Sequence, residues 1–327
     1  MPAAHPAAAK VYSTSKSGYA CEEVSEPAMT QLILHHYDIS PFAEKIRLVL
    51  GLKRLAWSSV TQPMVMPKPD LTPLTGGYRR IPVLQVGADV YCDTNLIARE
   101  LERRHPEPTI YPGGRVGETE LWCSWAERVL MWPTARYVTA VNDDKLGAAF
   151  HADRAAMRGH AAPGAAELAA SIPHHREQCR LMLGWLDEIL STKPFLLGDT
   201  PGLADFAVYQ RIWWLGAFGG RARDVLADLG QVGAWADRIH RIGHGTRSEM
   251  TPADALAIAR AAAPIPAKSI AAGVTPSAGE RITVGTEGFA PDAVSGVVVA
   301  ADQRTISIAH GGVVVHFPRT GYEWRGI

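Results

Sequence analysis

Hydrophobic positions change their period twice along the chain. From Gln31 to Tyr37 an apolar run, Leu32-Ile33-Leu34, reads as a short strand. Ser40 and Pro41 then mark a helix start, with a hydroxyl at the N-cap and proline at the first helical position. Phe42, Ile46, Val49 and Leu50 follow at helical spacing, and Gly51 closes the helix. Trp57 to Val60 forms a second strand. Residues 61–80 carry four prolines and two glycines, which predicts an irregular connection with at most a short helix. Ile81 to Val86 reads as a third strand opened by Pro82, and Val90 to Cys92 as a fourth after the turn at Gly87. Thr94 to Arg104 is a helix that stops before Pro106. The order β-α-β-(α)-β-β-α predicts a small α/β sandwich.

After Pro112 the period becomes helical. Helices are expected at 117–141, 173–191, 203–218, 223–243 and 252–263, while the Ala-, His- and Gly-rich stretch 142–170 has no clear limits. Residues 264–279 read as a Pro/Ala/Gly/Ser linker. Beyond it the period turns to alternation, with strands at 281–284, 294–300, 305–309 and 313–317. The expected organisation is a disordered leader (1–29), an α/β domain (30–112), an all-α domain (115–263), the linker and a β appendage (280–327). A piece of about 48 residues is marginal as an independent domain, so it is expected to pack on the helical domain or on a partner subunit.

Composition narrows the function classes. Lys plus Arg and Asp plus Glu both number 33, so no overall basic field points to nucleic acid or an anionic membrane. No apolar stretch approaches the roughly 20 residues of a membrane span. The leader lacks the apolar core of a secretory signal, Glu22, Glu23 and Glu26 argue against a transit peptide, and Met29 is a candidate start. Cys21, Cys92, Cys123 and Cys179 are scattered, and no ligand spacing predicts a metal. Scattered thiols suit a reducing compartment, so a cytoplasmic protein is expected. In the pairs His35-His36 and His174-His175 neighbouring side chains diverge, so neither pair makes a good two-ligand metal site.

Three short stretches carry candidate chemistry. Ser40 stands at a helix N-terminus, where free N–H groups and the helix dipole favour negative charge. A thiol held there is acidified, and a hydroxyl can donate to the thiolate; the alternative is a plain helix cap. Pro82 stands where a cis bond would leave the Ile81 backbone free for an extended ligand, and the alternative is an edge-strand proline. Asp93 and Thr94 open a helix, offering an acceptor for an ammonium and donors for a carboxylate; an ordinary cap has the same residues.

Their order resembles the glutathione transferase superfamily. Ser40-Pro41-Phe42-Ala43-Glu44-Lys45-Ile46-Arg47 is similar to the first-helix motif of its Ser- and Cys-type classes, with tau- and omega-like features. Ile81-Pro82-Val83-Leu84 resembles the cis-proline motif, and Asp93-Thr94 stands where the family has Glu-Ser or Asp-Ser. Phe195 to Asp199 and Leu203-Ala204-Asp205-Phe206 resemble the core-helix signature of the all-α domain, but Gly202 replaces the Ser/Thr cap. The resemblance implies a thioredoxin-like N-terminal domain, a helical C-terminal domain, glutathione as co-substrate, no metal, and a homodimer acting on a hydrophobic electrophile. It further implies Ser40 as the thiol-activating residue, with Tyr37 as alternative, and Phe42, Ile81, Pro82, Asp93 and Thr94 around glutathione. The second substrate is expected against the long helix, at Trp125, Arg128 and Trp132. A thiol-disulfide or peroxidase activity and a non-catalytic scaffold are the competing functions; serine in place of cysteine at position 40 argues against the first.

Overall fold

The computed structural model describes residues 31–265, 273–288 and 293–327. The leader, the candidate start at Met29 and the middle of the linker lie outside the described residues.

The α/β domain follows the expected order: β1 (Ile33–His36), α1 (Pro41–Leu52), β2 (Ala56–Thr61), the single-turn α2 (Thr72–Thr75), β3 (Val83–Val86), β4 (Asp89–Cys92) and α3 (Thr94–Arg104). β1 runs parallel to β2 and antiparallel to β3, which pairs antiparallel with β4. Ile46, Val49 and Leu50 of α1 and Ile97 and Leu101 of α3 share one core with Leu34, Leu84 and Val86 of the sheet. The fold is thioredoxin-like, with the loops that carry the candidate residues gathered around the start of α1.

The helical domain contains α4 (Val116–Ser124), α5 (Met131–Val141), α6 (Asp143–Ala156), α7 (Ala165–Leu190), α8 (Leu203–Leu215) and α9 (Gly230–His240). The helix expected over 117–141 is interrupted by a π-turn at Trp125–Val129, closed by the Leu130 N–H on the Trp125 carbonyl at 2.9 Å. Pro133 sits in the first turn of α5, where its missing N–H costs nothing. α8 is buried almost all round and packs on Trp235 of α9.

Two stretches depart from the expected organisation. Residues 246–261 do not stay with the helical domain. β5 (Thr246–Glu249) pairs in parallel with β2, and α10 (Pro252–Ala261) sets Ala255 against Ile33 and Val60. Gly51 permits this return, since a Cβ there would lie 1.9 Å from the Gly243 carbonyl oxygen. Nor does the C-terminal segment pack on the helical domain as its main support. β6 (Arg281–Thr286), β7 (Val294–Ala301), β8 (Thr305–His310) and β9 (Val313–Pro318) form an antiparallel meander, and β10 (Tyr322–Gly326) returns to pair antiparallel with β6. β9 pairs in parallel with β4, giving one ten-stranded sheet, β10-β6-β7-β8-β9-β4-β3-β1-β2-β5.

The physical reason lies in β4, whose open edge would otherwise present unpaired backbone groups. Val83, Val90 and Cys92 also need cover, and they share a second core with Val284, Ile308, Val315 and Phe317. At the seam, Ser307 Oγ and Asp89 Oδ1 each lie 2.8 Å from a ring nitrogen of His316, and Tyr91 stacks on that ring at 4.4 Å.

His35 and His36 are structural. His35 meets Gln85 Oε1 at 2.8 Å through Nε2 and Gln62 Nε2 at 3.3 Å through Nδ1, an arrangement that suits the neutral ring with its proton on Nε2. Burial draws its pKa down to about 4, the Gln85 bond acting weakly against it.

Candidate functional site

A cavity of about 530 Å³ opens between the two domains. Tyr37, Phe42, Ile81, Pro82, Asp93 and Thr94 line it from the α/β side. Met131, Arg136, Arg154, Arg158, Arg211 and Trp214 line it from the helices. Six of the lining residues are arginines, so the cavity concentrates positive charge in a chain whose formal charge is zero.

Ser40 is the N-cap of α1, with φ −73° and ψ 118°. Its Oγ accepts the Ala43 N–H at 3.2 Å, and its own N–H donates to the Tyr37 carbonyl at 3.0 Å. Only 1% of the residue is exposed, and it is absent from the cavity wall, although Ile39, Pro41 and Phe42 on either side belong to it. Tyr37 does reach the cavity; its Oη accepts from Arg154 Nη2 at 3.3 Å. The turn between them is held by Arg47, which donates to the Asp38 carbonyl at 2.9 Å and grips Glu44 at 3.0 and 2.7 Å.

The Ile81–Pro82 bond is cis. Neither the N–H nor the carbonyl of Ile81 has a hydrogen-bond partner among the described residues, and the residue lines the cavity. Asp93 caps α3, its Oδ1 accepting the Asn95 N–H at 2.9 Å. Its φ of 77° with ψ of 134° lies outside the wells open to side-chain-bearing residues, a conformation that costs about 1–3 kcal/mol and clusters at functional sites. Burial and the charge of Glu127 raise the Asp93 pKa, with Lys45 acting the other way.

Thr94 leads to two residues that the motif reading missed. Lys45 is fully buried on α1, and its ammonium donates to Glu127 Oε1 at 2.6 Å, Asn95 Oδ1 at 2.6 Å and Thr94 Oγ1 at 3.2 Å. Three acceptors match its three hydrogens. Glu127 also accepts from Thr94 Oγ1 at 3.3 Å, Asn95 Nδ2 at 3.0 Å and Gln210 Nε2 at 3.3 Å. Burial alone would drive both charges toward neutrality, yet their mutual attraction prevails: the Glu127 pKa is lowered and the Lys45 pKa raised. A signal was present, since Lys45 lies on the same helical stripe as Phe42 and Val49, where a lone charge needs a buried partner.

The three residues expected at the second-substrate pocket lie elsewhere. Trp125 lines a separate shallow groove with Trp122 and Trp185. Arg128 reaches the turn before β10, its Nη2 so close to Gly321 that a Cβ there would lie 2.6 Å away. Trp132 stands behind the wall, with the Arg158 and Arg136 guanidiniums 4.8 and 5.8 Å from its ring centre. The π-turn is the reason: one extra residue rotates the following helix by about 100°, so Met131, Ala135, Arg136 and Thr139 face the cavity instead.

Cys92, Cys123 and Cys179 are buried, and none lines the cavity. Burial raises the thiol pKa of each, to about 12 for Cys123 and Cys179. No cluster of metal-ligating side chains occurs among the described residues, and none of their helices is long and apolar enough to cross a membrane.

A four-strand thioredoxin-like core with a cis-proline loop, sharing a cavity with an all-α domain, defines the glutathione-transferase class of fold. Residues 34–109 match the model of the glutathione S-transferase N-terminal domain and residues 165–238 that of the C-terminal domain. A GST-like protein from Pseudomonas syringae is 34% identical in sequence and superposes with a TM-score of 0.76, covering 91% of this chain and 100% of its own. Fewer residues fall outside that match than the C-terminal strands contain, so it takes in part of them. FtsZ-localized protein A of Caulobacter vibrioides is 27% identical over 189 residues, 57% of this chain and 78% of that protein. FzlA from C. crescentus shares the fold at 24% identity, covering 64% of this chain and 87% of its own, with a TM-score of 0.51. The chain belongs to the glutathione S-transferase superfamily, a family that binds glutathione.

Proposed function

We propose that this chain binds glutathione in the interdomain cavity and joins it through its sulfur to a hydrophobic electrophile. The observation that carries the reading is the Ile81 backbone, whose N–H and carbonyl have no partner among the described residues and which lines the same cavity wall as Asp93 and Thr94. The Ile81 N–H and carbonyl would pair with the cysteinyl backbone, the Asp93 carboxylate would take the γ-glutamyl ammonium, and Thr94 with the start of α3 would take the carboxylate. Phe42 and Pro82 shape the same end. The thiolate attacks carbon, forming a C–S bond while the leaving group departs with the bonding pair. The chain contributes binding, orientation and stabilisation of the thiolate. Dimerisation and a cytoplasmic setting belong to the same proposal.

Two hydroxyls compete as donor to the thiolate. Tyr37 is favoured because it lines the cavity, where its Oη accepts from Arg154, whereas Ser40 is buried and absent from the cavity wall. In assays with glutathione and 1-chloro-2,4-dinitrobenzene, Tyr37→Phe is expected to lower kcat/KM by about tenfold or more and to raise the pH at which the rate plateaus. Ser40→Ala should leave the rate close to wild type and lower stability by about 1 kcal/mol through loss of the cap. The opposite pattern would return the role to Ser40.

A second reading, a glutathione-fold scaffold, is favoured by the relative named for its FtsZ localisation and by the burial of Ser40. Glutathione binding without turnover of several electrophiles by wild-type protein would support it. The cavity's lack of a cysteine among the described residues disfavours thiol-disulfide chemistry.

A further inference from the structure

The helical wall of the cavity carries cations that the glutathione reading does not draw on, apart from Arg154 beside Tyr37. Arg136 on α5, Arg154 on α6 and Arg158 just past its end all line the cavity. Arg154 is engaged with Asp153, Tyr37 Oη and the Met64 carbonyl, and Asp153 is shared with Arg79. Neither the Arg136 nor the Arg158 guanidinium has a hydrogen-bonded or ion-paired partner among the described residues. Each has only a ring beside it, the same Trp132 for both, and Phe150 lies 4.6 Å from Arg154. Glu167 is the one acid of α7 on this wall, and it makes no ion pair among the described residues. Burial, with Arg136, Arg154 and Arg80 repelling, draws the Arg158 pKa down to about 10, and no acid opposes this.

A third guanidinium without a hydrogen-bonded partner among the described residues lies deeper. Arg211 on α8 is 1% exposed and lines the cavity, yet its Nε and Nη2 have no hydrogen-bond partner among the described residues, and only the charge of Glu127 works against the cost of its burial. It rests 4.3 Å from the centre of the Phe42 ring. Burying a cation without an acceptor costs several kcal/mol, and crowding cations on one wall adds to that cost. Both are relieved by an oxyanion, whose planar or tetrahedral oxygens match the guanidinium fork. Rings that hold the guanidiniums in place lower the entropy lost on binding. Between them Met131, Ala135, Leu168 and Phe218 offer apolar surface.

We propose that Arg136, Arg154 and Arg158 form an oxyanion subsite, and that the second ligand of the cavity is an organic acid bearing a carboxylate or phosphate on an apolar body. This deepens the proposed function, on which it rests for the identity of that ligand as substrate.

The test is calorimetric titration of the full chain with 4-nitrobenzoate and with its uncharged methyl ester. The carboxylate is expected to bind about tenfold or more tightly than the ester, as befits one charge-assisted contact. Arg158→Met and, independently, Arg136→Met should each remove most of that preference while glutathione affinity and melting temperature stay close to wild type. Equal affinity for acid and ester, or no saturable binding of the acid at millimolar concentration, would overturn the subsite. So would an Arg158→Met variant that loses glutathione affinity in step with nitrobenzoate, which would hand the cluster to glutathione. Preference for the acid in a protein that fails to bind glutathione would uphold the subsite and defeat the proposed function alone.

Discussion

Replacing Asp205 by alanine is expected to destabilise the chain by about 3–5 kcal/mol, because three buried donors lose their acceptor together. Asp205 stands at the third position of α8 and is fully buried. One oxygen takes the Leu196 N–H and the Trp235 Nε1–H, both at 2.9 Å; the other takes the Gly202 N–H at 3.0 Å. Three segments of the helical domain therefore converge on one carboxylate. Gly202 contributes no capping side chain, and the reason is steric: a Cβ there would lie 2.5 Å from Pro112 Cδ and 2.7 Å from the Ile110 carbonyl. The connection between the domains passes so close that only the reciprocal half of the capping box survives. Thermal melting should fall by about 10 °C in Asp205→Ala.

The same residue has a pH signature. Burial pushes the Asp205 pKa up to about 6 from 3.8, against the pull of its three donors. Between these values the folded chain holds a proton that the unfolded chain releases, so this group's contribution to stability falls as pH rises from about 4 to about 6. A shift of that size corresponds to about 3 kcal/mol. Asp205→Asn, which does not titrate, should lack that component; the difference between its stability-pH curve and that of wild type isolates it from the buried histidines.

Glu127→Ala is expected to cost a similar amount, about 3–5 kcal/mol, by stranding the fully buried Lys45 ammonium. The penalty arises less from a lost attraction than from an uncompensated charge. For that reason the double variant Lys45→Met with Glu127→Gln should recover much of the stability lost in Glu127→Ala, since no charge remains to be buried. Function should not recover with it. Lys45 and Glu127 together fix Thr94 Oγ1 at the start of α3, so the double variant is expected to melt near wild type yet bind glutathione about tenfold more weakly. Melting curves and glutathione titrations on the same samples separate the two effects.

Much of the α/β domain was legible because its strands are short apolar runs and its helices begin at Ser40-Pro41 and Asp93-Thr94. Where two periods overlapped, pattern reading lost accuracy. β5 is Thr-Arg-Ser-Glu, exposed at every position, with no alternation to betray a strand; only its partner β2 defines it. The β appendage was visible as strands, but pairing with β4 depends on a long-range match that no local period encodes. In the site, Asp93 and Thr94 lie along the cavity wall and the Ile81–Pro82 bond is cis. The helical wall was misjudged because residues 125, 128 and 132 share a face only on an uninterrupted helix, and the π-turn is not written in hydrophobicity. Lys45 was overlooked because it stood inside a motif read for its neighbours.

Glutathione titrated calorimetrically into the full chain, wild type beside Asp93→Asn, is the most direct measurement. Asparagine keeps an oxygen for the Asn95 N–H and tolerates the positive φ, but removes the charge meant for the γ-glutamyl ammonium. Saturable binding to wild type, weakened about tenfold or more in Asp93→Asn at unchanged melting temperature, is the predicted result. A folded wild-type protein that gives no saturable binding, or equal affinity in the two proteins, would contradict it.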